Sequence, residues 1–368
     1  MVVLCHTWLF STSYPTAWGW VGISLHAGVV GFFAISAFLI YRPFVAAHAA
    51  GRAPTRVRDH ARRRTLRIVP AYWVALVVLS IWPGTDGDIL GSGGWRHFLL
   101  VQNLSRQTVS DGLIIAWSLC VEVSFYALVP LLAWAVRRAA RRFGRPWWHA
   151  ELAAIGAFAA MSAVSIYLIA AQDLTPALVN TLLTTSLWFA PGMALAVMSV
   201  AVDHGGARAE RIRAWLAGHA GLLWATAAVA VVASARVNWA LVELRLTDVI
   251  IAVRLGYVVN IGLLMVFGGC LLAPIVAGAR GRVAAVTTWR PLMALGLVSY
   301  GVFLWHAVLG RWLAYHTGVG LFRHFVPLTL VTLAWAIAVA TVSYRLVELP
   351  FLRLKYRRRR RRDGLRRR

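Results

Sequence analysis

Glu122 sits where a charged group is expensive. It lies in Trp117-Ser-Leu-Cys-Val-Glu-Val-Ser-Phe-Tyr126, inside an apolar run over 113–135. A carboxylate at membrane depth is costly enough to be a functional candidate by default. Ser118 and Glu122 are four residues apart, so one helix face presents a hydroxyl and a carboxylate together, and Tyr126 extends that stripe by a turn. The competing reading is a structural clamp in which Glu122 pairs with an Arg or His of another helix. A second group lies in Arg62-Arg-Arg-Thr-Leu-Arg67-Ile-Val-Pro-Ala-Tyr-Trp73. Arg64 and Arg67 are three apart and share a face, and two guanidiniums with fork geometry suit a phosphate. For Arg62 and Arg63, plain charge at the mouth of an apolar stretch is explanation enough. His6, His26 and His306 also fall in apolar runs, and an imidazole titrates close to working pH, as a general base must. His26, at the start of its run, is read as interfacial. His219 and Arg254 lie near the ends of theirs, where the first packs at the interface and the second reaches out along its stem.

The elements that must position these residues follow from composition. Of 368 residues, 60% are apolar and 14% charged, against about 45–50% and about 25% in soluble domains. The apolar residues gather into runs of roughly twenty, enough to cross about 30 Å of hydrocarbon. Spans are expected near 24–45, 66–82, 113–135, 150–171, 178–202, 214–235, 248–273, 292–315 and 325–347. Met1–Phe10 is a tenth apolar piece that rises only about 15 Å, half a crossing, and it lacks the marks of a signal peptide. The expected fold is an all-α polytopic transmembrane helix bundle of about ten spans, the first one incomplete. Such a composition excludes a disordered chain. Cys5, Cys120 and Cys270 are scattered, with neither a disulfide framework nor metal-ligand spacing.

Charge placement sets the orientation. The segments 46–67, 137–148, 203–213, 279–290 and 353–368 fall on one side and hold 29 of the 38 Lys and Arg residues, against five on the other. The positive-inside rule makes that side cytoplasmic, with both termini there. A net charge of +25 would otherwise suggest nucleic acid. Much of it, however, lies in a tail, with Arg357–Arg362 unbroken, that adjoins the last span. Such a cluster is drawn to anionic lipid by about 1 kcal/mol per basic residue, so lipid rather than nucleic acid is the expected partner.

Six strings, in order from residue 2 to about 352, resemble the membrane-bound acyltransferase-3 family. Val3-Leu-Cys-His6 is similar to the end of its first helix. Gly31-Phe-Phe-Ala-Ile-Ser36-Ala-Phe-Leu-Ile40 resembles its Phe-Phe-x-x-Ser-Gly-Phe-Leu-Ile run. Arg63-Arg-Thr-Leu-Arg67-Ile-x-Pro-Ala-Tyr-Trp73 resembles its Arg-x-x-Arg signature, and Trp117-Ser-Leu-x-Val-Glu122-x-x-Phe-Tyr126 its Trp-Ser-Leu-x-x-Glu-x-x-Phe-Tyr motif. Ser299-Tyr-Gly-x-x-Leu-Trp-His306 and Ser343-Tyr-Arg-x-x-Glu348-x-Pro350 are similar to its last two helices. Two departures stand out. The family's Arg eleven positions before the His has no counterpart ahead of His6, so the chain is expected to be N-terminally truncated and compromised as written. Ala37 also replaces the usual Gly, a methyl that narrows a helix contact.

The resemblance implies an integral-membrane O-acyltransferase in the cytoplasmic membrane of a bacterium. It would move an acyl group, acetyl first among the choices, from cytoplasmic acyl-CoA to a hydroxyl of a carbohydrate or lipid-linked acceptor. His6 would be the catalytic base, and Glu122 would orient and charge-stabilise it or position the acceptor. Arg64 and Arg67 would hold the acyl-CoA phosphates. Ser36, Tyr72, Trp117, Ser118, Tyr126 and His306 would line the pocket, with no metal and no bound cofactor, acyl-CoA being a co-substrate. Residues 1–352 would form the transmembrane acyltransferase domain and 353–368 a basic cytoplasmic tail. Onward relay of the acyl group would need a separate extracytoplasmic protein. The alternatives are a secondary transporter using His6, Glu122 and His306 as a relay, or a non-catalytic component of envelope-polymer export. The first lacks repeat symmetry. The second gains from the missing Arg. A His-x4-Asp box and a Gly-x-Ser-x-Gly elbow are both absent from the sequence.

Overall fold

The computed structural model describes all residues except 12–18, 83–88, 110–111, 114, 170–179, 245–249 and 355–368. The described residues are helical, with no strand among them. In chain order the main helices are α1 Val2–Phe10, α2 Ala27–Ala49, α3 Val57–Ser80, α4 Ala116–Arg142, α5 Trp147–Ile169, α6 Ala190–Asp203, α7 Ala207–Gly218, α8 Ala220–Leu244, α9 Ile250–Val276, α10 Arg290–His316 and α11 Phe325–Ser343. Among the described residues, seven helices are long and apolar enough to cross a membrane, and an eighth span forms if Leu182–Trp188 and α6, bent by 48°, count together. The chain is thus an all-α, multi-pass membrane bundle.

Three expected spans take a different form. The 66–82 span is the second half of α3, apolar only from Ile68 to Ser80 and therefore about 20 Å long. The first half of α3 carries five arginines, which disqualify it as hydrocarbon-facing helix. The 178–202 span is the bent pair. The 214–235 span starts later, at α8, because α7 is a separate helix with no buried residue. His219 marks the break, exposed, its Nδ1 bonded to Trp215 O at 2.8 Å.

The alternation of basic segments recurs in the contacts. Arg137 donates to Arg52 O (2.7 Å), Arg42 pairs with Asp203 (2.6 Å), Arg213 donates to Ala277 O (3.0 Å) and Arg62 to Leu354 O (3.3 Å). These bonds gather the Arg-rich segments at one end of the bundle. Two helices that run to that end stop the same way, with Gly51 (φ +62°) after α2 and Gly144 (φ +58°) after α4. That left-handed conformation lets the chain turn back and satisfy a last-turn carbonyl, as Arg52 N does for Ala47 O and Arg145 N for Ala140 O. At the other end Trp82 meets Trp312 edge-on, and Asn103 donates to Asn180 O at 2.6 Å.

The core nearest the site is aromatic. Phe33 of α2 and Phe125 of α4 stack on either side of Phe189, with centroids 4.6 and 4.3 Å away. All three rings are fully buried, and offset stacking of this kind adds about 0.5–1.5 kcal/mol per pair beyond area burial. Phe125 is one turn from Glu122, so the stack fixes which face of α4 turns toward α2. Helices α2 and α6 cross closely at Gly192, where an added Cβ would lie 2.0 Å from Ala34 O and 2.9 Å from the Ala37 Cβ. The methyl of Ala37, fully buried, therefore has its room supplied by a glycine on the facing helix.

Candidate active site

A cavity of about 290 Å³ opens between α1, α2, α3, α4 and α10. Its polar lining is Ser36, Arg64, Arg67, Ser118, Glu122, Tyr126, Ser299, Tyr300 and His306, and its remaining wall is aliphatic and aromatic. Four helices reach this space with i, i+3 or i, i+4 repeats, which is why residues so distant in sequence converge here.

Glu122 is 2% exposed. Its Oε1 accepts the Ser36 hydroxyl at 2.5 Å and the hydroxyl of Tyr126, one turn along its own helix. Its Oε2 takes no hydrogen bond among the described residues. The competing reading, a clamp with an Arg or His, is not what forms: two neutral hydroxyls on α2 and α4 take that place. Ser118 lines the same cavity, but its hydroxyl turns back to Ile115 O at 3.1 Å.

Arg64 lies over the Tyr126 ring, 5.3 Å from its centroid. Neither Arg64 nor Arg67 forms an ion pair among the described residues, so two cations meet the cavity without carboxylate partners. Tyr126 is held from behind as well. Pro130 has no N–H for the Tyr126 carbonyl, four residues earlier, and His60 Nε2 donates to that oxygen at 3.1 Å. His60 lies in the basic half of α3, outside its apolar stretch. Burial pushes its imidazole below the usual 6.5, opposed by the Tyr126 bond and aided by the Arg64 and Arg63 charges.

The short α1 is docked against α10 and α11. Thr7 Oγ1 lies 2.7 Å from Thr329 Oγ1 of α11, and Trp8 packs edge-on against Phe325. This sets His6 beside α10, where its Nδ1 is 3.0 Å from His306 Nε2 and 3.0 Å from Val2 O. His306 is 1% exposed and lines the cavity.

Two expected pocket residues lie elsewhere. Tyr72 donates to His97 O (2.9 Å) and accepts from Gln102 Nε2 (3.2 Å), while its neighbour Trp73 donates to Phe98 O (2.9 Å). Both fasten the 95–104 segment to the end of α3 remote from its arginines. Trp117 stacks on His26 at 5.6 Å and meets Phe33 edge-on, so it backs the wall without lining it. Arg254 stacks on Tyr167 at 5.2 Å.

Tyr300 was not anticipated. Its hydroxyl donates to Ile68 O at 2.8 Å, fastening α10 to α3 one residue beyond Arg67. The signal was the Ser299-Tyr-Gly string, in which only the later His306 was singled out. Glu151, 1% exposed at the start of α5, was also missed; it accepts from Tyr41 and bonds His48 Nδ1 at 2.6 Å. Glu348 lies buried in a π-helical turn, Tyr344–Glu348, and its Oε1 has no partner among the described residues. Such turns recur at functional sites. No group of three or more His, Cys, Asp or Glu placed to hold a metal occurs among the described residues.

Around one apolar-walled cavity stand the His306 imidazole, a hydroxyl-held carboxylate and two guanidiniums without ion-pair partners among the described residues, while His6, hydrogen-bonded to His306, is not part of the lining. Such a set is suited to group transfer. No curated protein and no solved structure matches the chain. A family model described as an acyltransferase domain matches residues 1–345, nearly the whole of it, and the chain belongs to that acyltransferase-3 family, making it an integral-membrane acyltransferase.

Proposed function

We propose that the protein transfers an acyl group, acetyl in the simplest case, from cytoplasmic acyl-CoA to a hydroxyl of a carbohydrate or lipid-linked acceptor. The observation that carries this reading is the pair Arg64 and Arg67, free of carboxylate partners, on the same cavity as Glu122 and His306. An acyl-CoA is a polyanion with a thioester at the end of a long flexible arm. The guanidiniums hold its phosphates by charge-assisted bonds, and the arm carries the thioester inward between apolar walls. His6 acts as general base. As the acceptor oxygen bonds the acyl carbon, its proton passes to the imidazole, the carbon–sulfur bond breaks, and the CoA thiolate takes the proton and leaves as thiol. Glu122, fixed by Ser36 and Tyr126, offers Oε2 to position the acceptor hydroxyl.

Both termini are assigned to the cytoplasm of a bacterial cell, with the tail 353–368 drawn to anionic lipid; any onward relay of the acyl group would fall to a separate extracytoplasmic protein. Release of free thiol from acetyl-CoA by the protein in nanodiscs, with a panel of carbohydrate acceptors, tests the reading. Turnover that is abolished in His6→Ala and Glu122→Gln supports it. Thiol release unchanged in both variants would overturn it.

A further inference from the structure

We infer that His306 is a positioning residue that fixes the proton of His6 on Nδ1 and so leaves His6 Nε2 as the basic nitrogen. This rests on the reading of His6 as general base. The argument starts from carbonyl oxygens, which only accept. His306 Nδ1 lies 3.0 Å from Val302 O and 2.8 Å from Phe303 O, the carbonyls four and three residues before it on α10. Two acceptors facing one ring nitrogen require a hydrogen there. In a neutral imidazole the other nitrogen then has only its lone pair, so His306 Nε2 is an acceptor. Its neighbour at 3.0 Å is His6 Nδ1, which must therefore supply the hydrogen.

Val2 O makes the same demand independently. It lies 3.0 Å from His6 Nδ1, and a bare nitrogen there would face two sets of lone pairs. The reverse arrangement, a protonated His306 donating to His6, leaves that clash in place. The two rings, with centroids 5.0 Å apart, thus form a directed pair in which α10 backbone orients His306, and His306 and Val2 orient His6. In the reaction the acceptor proton goes to His6 Nε2, and the resulting imidazolium keeps its Nδ1–H on His306. An orienting acceptor behind the base does the same in serine hydrolases, where a carboxylate fills the place. Here the acceptor is neutral, so it aligns the base and accepts from the cation without adding a negative charge to the bilayer.

The test compares His306→Gln, whose amide oxygen can accept from His6, with His306→Leu, which cannot. The expected result in full-length protein in nanodiscs is a loss of kcat in His306→Leu of about 10- to 100-fold, the worth of a hydrogen bond to a charged group, at an unchanged KM for acetyl-CoA. His306→Gln should recover most of that kcat. Equal loss in both variants would show a packing role, and wild-type kcat in His306→Leu would show none; either overturns the inference. Nitrogen NMR of histidine-labelled protein decides the tautomer without turnover, with His6 assigned from His6→Gln. A bare Nε2 and a coupling between His6 Nδ1 and His306 Nε2 across the hydrogen bond are expected, and a hydrogen on His6 Nε2 in the resting protein would overturn it. Full activity in His6→Ala would instead sink the assignment of His6 as base.

Discussion

Removing the two hydroxyls on Glu122 Oε1 should cost far more together than separately. Ser36 and Tyr126 donate to the same oxygen, so Ser36→Ala or Tyr126→Phe alone leaves it one donor. Each single change should cost about 1 kcal/mol, or about fivefold in kcat. With both gone, a carboxylate oxygen at 2% exposure has no donor, which adds about 1–3 kcal/mol of unpaid desolvation. The double variant should therefore lose about 10²-fold to several thousand-fold rather than the roughly 25-fold expected of independent sites. Tyr126→Phe also keeps the ring under Arg64, so its KM for acetyl-CoA should hold while kcat falls; Tyr126→Leu should raise KM as well. The assay is thiol release at varied acetyl-CoA, with thermal unfolding confirming that each variant is folded. A double variant no worse than the product of the singles would refute the shared-oxygen reasoning.

Arg64→Gln and Arg67→Gln should each raise the KM for acetyl-CoA about tenfold, the worth of a charge-assisted phosphate contact, whereas Arg357→Gln in the tail should change it less than about twofold; equal effects would mean that only bulk charge matters. Gly192→Ala puts a methyl 2.0 Å from Ala34 O and must part α2 from α6 by about 1 Å, which should destabilise by about 1–3 kcal/mol and lower kcat by about 10²-fold through displacement of Ser36. An unchanged Tm in that variant would contradict the close crossing. His60 is held below 6.5 when folded, mainly by burial, so the folded state binds its proton less readily than the unfolded chain. Its stabilisation is complete above about 6.5 and lost as pH falls through the folded value, so the Tm gap between wild type and His60→Gln should shrink on acidification; a constant gap counts against it.

Much of the candidate site was legible because its signal is local. An ionisable residue in an apolar run stands out by cost, and spacings of three and four report a shared face wherever a helix forms. Arg64 with Arg67, Ser118 with Glu122 and Tyr126, and the isolated His306 all meet at one cavity for these reasons. Tyr72 fell outside because a face is not a depth. It is little more than a turn beyond Arg67, yet its hydroxyl serves the loop at the opposite end, on His97 O. Trp117 neighbours Ser118, but consecutive helix residues point about 100° apart, and its ring backs onto His26 instead. The bend before α6 and the separate α7 were hidden because hydropathy sums residues without regard to direction. Glu151 carries no local signal of this kind: it lies at the start of a span, and its partners Tyr41 and His48 are on another helix.

Partners outside the motifs make room for Ala37 and hold Tyr126 in place. Ala37 stands where the family has glycine, and in isolation the extra methyl would push α2 away from its neighbour. Gly192 on α6 presents no opposing Cβ, so the close approach has room for the Ala37 methyl. The same logic holds Tyr126. Pro130 leaves the Tyr126 carbonyl without its helical donor, a loss that in hydrocarbon would cost several kcal/mol. His60, from the helix that carries Arg64 and Arg67, donates to that carbonyl. One residue thus joins the arginine helix to the helix of Glu122 at the point where Arg64 covers the Tyr126 ring and the Tyr126 hydroxyl reaches Glu122. Under the proposed function, a shift of α3 relative to α4 would therefore move Arg64 and the carboxylate's hydroxyl donor together, coupling acyl-CoA binding to the geometry of transfer.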